Sequence, residues 1–428
     1  MLPVLIAGGG IGGLALALTL QQIGIPFKVL EHAREMKPMG VGITLQPNAV
    51  RELFDLNIGP KLLDQTGIPI DTWTLAAADG TEIHTEPRGL DAGYNWPQYA
   101  VHRGAFHMVL YQALKSRAGV GAVRLGQRVT GYRHNTDGSV TALIDTAKGP
   151  IEETGSLLIG ADGMHSRIRA QMHPTQPPIQ WGGSVMWRGT VRAKPPRGAN
   201  TFLALGSSEQ RLMLYPISPA DRETGLVTLN WIAERQIDPS SDWQNIGWFR
   251  PAVLNDFAHH FDSFRFDWLD LPDLMHHSSA AYENPLIDRD PAPHWVEDRV
   301  ALLGDAAHVM YPTGSNGATQ AIVDARTLGA MMLQHGATPR ALAAYNNRLC
   351  APVSDLVLRM RSSGPLALLD QYKSRSASRE DDVETLLPEN ERTRFLAEYR
   401  SAAGFDCRAL NGAPPTIPTS ARRPLQSA

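Results

Sequence analysis

The chemistry of this chain is concentrated in short stretches that pair glycine with an acid. The densest is VALLGDAAHVMYPTGSNGATQAIVDA, residues 300–325. It reads as a buried strand that ends in Gly304-Asp305, then a loop with Pro312, Gly314 and Gly317, then a helix. An acid at a strand tip accepts hydrogen bonds from a hydroxylated ligand. Glycines in such a loop let backbone amides lie against something flat or anionic.

A second stretch, PVLIAGGGIGGLALALTLQQIGIPFKVLEHA, supplies a matching pattern. Val4 to Ala7 reads as a strand, and Gly8, Gly10 and Gly13 form GxGxxG. Leu14 to Gln22 reads as a helix closed by Gly24. PFKVLE is the next strand, with Glu31 at its end, 18 residues after Gly13. This is the βαβ context of a dinucleotide fingerprint. Gly8 makes the tight turn, Gly10 admits a pyrophosphate, and Gly13 lets helix and strand pack closely. Glu31 is placed to accept hydrogen bonds from an adenosine ribose. A third strand ends in Gly160-Ala161-Asp162-Gly163, with Asp162 placed to cap the helix that follows.

These motifs need a fold large enough to hold them. At 428 residues, 43% apolar and 19% charged, the chain is expected to be a globular protein of two packed domains and a tail. A net charge of -3 argues against a nucleic-acid surface. Cys350 and Cys407 show no CxxC spacing and no paired His motif, so no structural zinc site and no other metal is expected, and the lack of CxxxxC excludes a redox-disulfide flavoenzyme. The same usage fits a reducing, cytoplasmic setting. The apolar run Val4 to Leu20 is short for a membrane span and carries five glycines, and no membrane association is expected.

GSVMWRGTVRA, RLMLYPISP and GLVTLNWIAE alternate in the manner of sheet strands. The expected fold is therefore α/β. A Rossmann-like nucleotide-binding domain (1–71, 101–179 and 276–345) carries an inserted sheet-rich substrate domain (72–100 and 180–275). A helical segment (346–410) follows, and the Pro/Ser-rich stretch 411–428 is expected to be disordered.

With Gly8-Gly10-Gly13, Gly160-Ala161-Asp162-Gly163 and Gly304-Asp305 in this order, the chain resembles the single-component FAD-dependent aromatic hydroxylases, the p-hydroxybenzoate-hydroxylase-like family. The resemblance covers about residues 1 to 350 and is strongest to the phenazine hydroxylase branch, the 5-methylphenazine-1-carboxylate 1-monooxygenases. It rests on GVGITLQPNAV (40–50), EPRGLDAGYNWPQYAVHRG (86–104), MWRG (186–189), YPIS (215–218), DRDPAPHW (288–295) and GDAAHVMYP (304–312).

The resemblance implies FAD as tightly bound cofactor and NADH or NADPH as co-substrate. It gives the pyrophosphate to Gly8, Gly10 and Gly13, the ribose to Glu31, and the ribityl-phosphate region to Arg103. The ribityl hydroxyls go to Asp305. Backbone amides near Gly317 and Ala318 face flavin N1 and C2=O, and Asp162 touches both FAD and NAD(P)H. It further implies hydroxylation of an aromatic or N-heteroaromatic, carboxylated ring through a flavin C4a-hydroperoxide. The partners are then that small substrate, O2 and NAD(P)H, on a monomer or homodimer. An FAD oxidase or dehydrogenase of a small aromatic compound is the second expectation. Tyr215, Arg188 and Tyr311 are the substrate-side candidates. His308 reads as a strand-end residue, and the pairs His259-His260 and His276-His277 as surface or interface residues.

Overall fold

The computed structural model describes residues 2–238, 240–241, 243–245, 249–362, 364–378 and 381–423. Val4–Ala7 is a strand with every side chain buried, because parallel strands flank it on both sides. Val4 pairs with Leu157 on one side and Phe27 on the other. Across this six-stranded sheet the order is Val296–Glu297, Val300–Leu302, Leu157–Gly160, Val4–Ala7, Phe27–Glu31 and Val123–Leu125. Only the first of these runs antiparallel to its neighbour. Ile11–Ile23 is a helix buried nearly all round, packed on helices Gly317–His335 and Arg103–Ala118. It ends at Gly24, whose φ of 75° allows a left-handed cap. The apolar run at the start of the chain is therefore strand, turn and core helix. No helix among the described residues is long and apolar enough to cross a membrane.

The second layer is an eight-stranded sheet. Its order is Arg250–Ala252, Ala281–Asp288, Gln180–Ala193, Val227–Gln236, Gln210–Pro216, Thr201–Gly206, Thr72–Ala76 and Glu82–Pro87. The two-residue period of a strand decides which side chains reach the site. Leu212 and Leu214 join one apolar cluster with Trp187, Trp231 and Phe257. Met213 and Tyr215 join the opposite cluster, with Phe202, Ile232 and Leu366.

Two boundaries differ from the sequence reading. Ala281–Asp288, expected in the nucleotide-binding domain, is a strand of the eight-stranded sheet, between Gln180–Ala193 and Arg250–Ala252. Pro285 and nearly continuous burial hide its period. The stretch expected to be disordered is held in place from residue 411 to 423. Arg51 donates to the carbonyls of Ala413 and Pro414, Thr416 Oγ1 donates to Glu52 Oε1 at 2.6 Å, and Arg422 reaches Asp55 at 2.7 Å. Ile417 is fully buried. Its Pro/Ser composition is poor in helix and strand formers, but charged groups on the helix Pro47–Asp55 supply its partners. Residues 424–428 lie outside the described residues.

Candidate active site

The glycines of the first turn divide into two kinds. Gly8 has φ 109°, and a Cβ there would sit 2.3 Å from the Ala161 carbonyl oxygen. A Cβ on Gly13 would sit 2.1 Å from the Gly8 carbonyl oxygen. Both are demanded by chain meeting chain. A Cβ on Gly10 would meet nothing within 4 Å, and Gly10 faces a cavity of about 330 Å³. Glu31, at the end of its strand, accepts from Gly9 N–H at 2.6 Å and Ala33 N–H at 2.7 Å. Its carboxylate therefore shapes the glycine turn from behind. His107 Nε2 lies 2.6 Å from the Gly9 carbonyl oxygen, one helical turn after Arg103, which lines the cavity. The sequence reading missed His107.

Asp162 does not line the cavity, whereas its neighbours Ala161 and Gly163 do. Its carboxylate accepts from Ser166 Oγ at 2.6 Å and Arg167 N–H at 2.8 Å, and Ser166 in turn caps the helix Arg167–Met172. Burial pushes the Asp162 carboxyl up, against those hydrogen bonds.

The strand tip Gly304-Asp305 is fixed from the helix Gly317–His335. Asp324 is fully buried and accepts from Gly304 N–H at 3.0 Å, from His308 Nε2 at 2.5 Å and from Gln320 Nε2 at 2.8 Å. Asp324 is the second residue sequence reasoning missed. An acid inside the apolar run AIVDARTLGAMM was the available signal, since a buried charge needs a partner. His308, expected to be a strand-end residue, is that partner. Asp305 itself is exposed at the cavity edge, with no hydrogen-bond or ion-pair partner among the described residues. The amides of Gly317 and Ala318 open a 19-residue helix, and the Asn316 side chain does not cap it. Its first N–H groups have no intrahelical acceptor and sit at the positive end of the helix dipole, and Gly317 and Ala318 line the same cavity.

The eight-stranded sheet supplies the opposite wall. Tyr215 is 2% exposed and stacks on Phe202 with centroids 4.7 Å apart. Burial pushes its hydroxyl up to about 12, against the pull of Arg188 and Asn230. Arg188 lines the cavity, its Nε has no partner, and no carboxylate pairs with it among the described residues. Tyr311 does not line the cavity, although Met310 and Pro312 do. In an extended segment the middle side chain points the other way, and the Tyr311 hydroxyl lies against Gly182.

The cavity thus joins Gly10, Arg103, Asp305, Gly317 and Ala318 on one side to Arg188 and Tyr215 on the other. An open glycine, helix N-terminal amides, an unpartnered acid and an apolar wall fit a flavin dinucleotide. Such a βαβ sheet feeding a cavity beneath a mostly antiparallel sheet, in which only Thr201–Gly206 and Thr72–Ala76 pair in parallel among the described residues, defines a flavoprotein of the hydroxylase architecture.

The family model for the FAD binding domain matches residues 1–361, and the chain belongs to that family. Phenazine 1,6-dicarboxylic acid hydroxylase of Lysobacter antibioticus is 37% identical over 358 residues, covering 83% of this chain and 88% of the relative. The 3-hydroxybenzoate 6-hydroxylase 1 of Aquipseudomonas alcaligenes is 31% identical over 350 residues, 80% and 84% of the two chains. A salicylate hydroxylase substrate complex superimposes with TM-score 0.72 at 24% identity, covering 97% of this chain and 98% of that one, and shows the same fold. The chain is an FAD-dependent monooxygenase of the aromatic hydroxylase type, and the oxidase or dehydrogenase alternative is not favoured.

Asp305→Ala is expected to weaken FAD binding about 10- to 100-fold. A charge-assisted hydrogen bond is worth about 1.5–3 kcal/mol, and 1.4 kcal/mol is about tenfold in affinity. Fluorescence titration of the apoprotein with FAD measures this directly. An unchanged dissociation constant would make Asp305 a solvated surface acid.

Proposed function

We propose that the enzyme hydroxylates a carboxylated aromatic or N-heteroaromatic ring of the phenazine-carboxylate kind, and that Arg188 holds the carboxylate. The observation that carries this reading is Arg188 itself, a cation at the cavity wall beside Tyr215 with no acidic partner among the described residues. A desolvated guanidinium without a counter-charge is costly, and a substrate carboxylate supplies one in bidentate geometry. The names of the relatives point the same way, since phenazine dicarboxylic acid and 3-hydroxybenzoate both carry carboxyl groups.

FAD, when bound, supplies the redox chemistry, taking electrons from NADH or NADPH and using O2 to place one oxygen on the ring. The residues of this chain do the rest. Gly10, Arg103, Asp305 and the amides of Gly317 and Ala318 bind and orient the cofactor. Phe202, Met213, Ile232 and Leu366 present an apolar wall that excludes water from the reacting ring. Tyr215 places its hydroxyl at that wall to orient a ring substituent. The test is a screen of phenazine and benzoate carboxylates for stimulated NAD(P)H oxidation, with product mass recorded. Arg188→Met is expected to raise KM for the carboxylated substrate about tenfold or more, while the matching carboxamide is unaffected. Equal KM values in both proteins would remove Arg188 from the site.

A further inference from the structure

The cavity that receives the ring does not end at its wall. Thr44, Phe202, Thr313, Ser315 and Leu366 line it and also line a narrow pocket of about 30 Å³. Gln46, Arg88 and Gln98 line that pocket and also a wider one of about 230 Å³ beyond it. The three spaces share walls in series, with the narrowest in the middle. A neck of that volume holds about two waters, or a group the size of a carboxylate, but not a ring.

Charge at the neck is out of balance. Arg88 is 9% exposed and lies over the Trp73 ring, 4.3 Å from its centroid. Its Nη2 is 2.8 Å from Glu86 Oε1, and its buried Nε has no hydrogen-bond partner among the described residues. Arg400 Nη1 reaches both oxygens of the same Glu86 at 3.1 Å. One carboxylate therefore serves two guanidiniums, and one positive charge is left over. His84 also leans on Glu86, at 3.4 Å, and the phenols of Tyr94 and Tyr399, which burial pushes up to about 12, are neutral at neutral pH. The other carboxylate that acts on Tyr94, Asp406, caps the helix Cys407–Gly412 and lines neither the neck nor the wider pocket. A buried cation is stabilised when a hydrogen-bonding anion arrives, and Arg88 lines the neck with more donors than Glu86 occupies. Arg400 lies beyond residue 361, where the family match ends, so this surplus is made partly by the chain's own C-terminal segment.

We infer that the neck is a second anion subsite, in which Arg88 binds a carboxylate that projects from the ring away from Arg188. The substrate is then a dianion with two separated carboxylates. This rests on the hydroxylase reading above and narrows it. Arg400 is a positioning residue, since it engages Glu86 and leaves Arg88 free for the ligand.

The test uses the FAD-loaded enzyme without NAD(P)H. The change in flavin absorbance is followed on titration with phenazine-1-carboxylate and with phenazine-1,6-dicarboxylate. Arg88→Gln is expected to raise the dicarboxylate Kd about tenfold or more and to leave the monocarboxylate Kd unchanged, with Arg88→Lys recovering part of the loss. Arg400→Gln, at a less buried position than Arg88, gives a second reading. There Glu86 turns wholly to Arg88, and the dicarboxylate Kd is expected to rise several-fold. Equal weakening of both probes, or a dicarboxylate Kd unchanged in these variants, overturns the subsite. A wild-type flavin that responds to neither probe overturns the dianion class. NAD(P)H oxidation stimulated by some other aromatic acid would then leave the hydroxylase reading standing.

Discussion

Asp324→Ala is expected to destabilise the folded chain by about 3–5 kcal/mol, because it leaves a buried partner without its counter-charge. Asp324 is fully buried and His308 is 3% exposed. Removing the carboxylate strands His308 Nε2, the Gly304 amide and the Gln320 amide at once. The Trp295 ring, 5.3 Å from the His308 ring, gives a local fluorescence signal for urea unfolding. A loss below about 1 kcal/mol would mean that water replaces the carboxylate at little cost. The pair also carries a pH signature. Burial lowers the His308 pKa, but Asp324, with a smaller contribution from Asp305, outweighs it and holds the imidazole above its ordinary 6.5. A raised folded-state pKa stabilises the protonated form, so the contribution is complete below about pH 6.5 and is lost as pH climbs through the raised value. The stability gap between wild type and Asp324→Asn is therefore expected to narrow from pH 6 toward pH 9. Because Gly304 holds Asp305 at the cavity edge, the same variants are expected to release FAD more readily.

The motifs were legible because each is local. GxGxxG, the strand-end acid and the glycine loop are each written within a few residues of sequence, and the strand pattern of RLMLYPISP placed Tyr215 on a sheet. What stayed hidden depends on contacts between distant parts of the chain. Glu31 was legible as an acid at a strand end, but its grip on the Gly9 amide, 22 residues earlier, was not. Tyr311 was a substrate-side candidate, but the alternation of an extended segment turns its hydroxyl to Gly182. The neck between Arg88 and Arg400 joins residues 312 apart in sequence, through a shared Glu86. Composition misled at the C-terminus for the same reason, since Arg51, Glu52 and Asp55 hold residues 413–422 from far away.

Tyr215→Phe is expected to separate cofactor consumption from product formation. The hydroxyl sits at the apolar wall, with its ring stacked on Phe202 and the Arg188 cation beside it. The groups assigned to the flavin, Asp305 and the amides at Gly317 and Ala318, lie on the other side of the cavity and are untouched. FAD binding and substrate-stimulated NAD(P)H oxidation are therefore expected to continue. Oxygen transfer needs the ring held in line, and a displacement of about 1 Å can cost about 100-fold in rate. Reducing equivalents and O2 then leave as hydrogen peroxide, and product per NAD(P)H is expected to fall below about one tenth, as a misplaced ring of that order implies. If the hydroxyl only satisfied a neighbour in the sheet, the change would cost about 0.5–1.5 kcal/mol of stability and leave the ratio alone. Product and peroxide measured together, without catalase, decide between the two. A wild-type ratio in the phenylalanine variant would take Tyr215 out of the chemistry and leave it as a packing residue of the sheet.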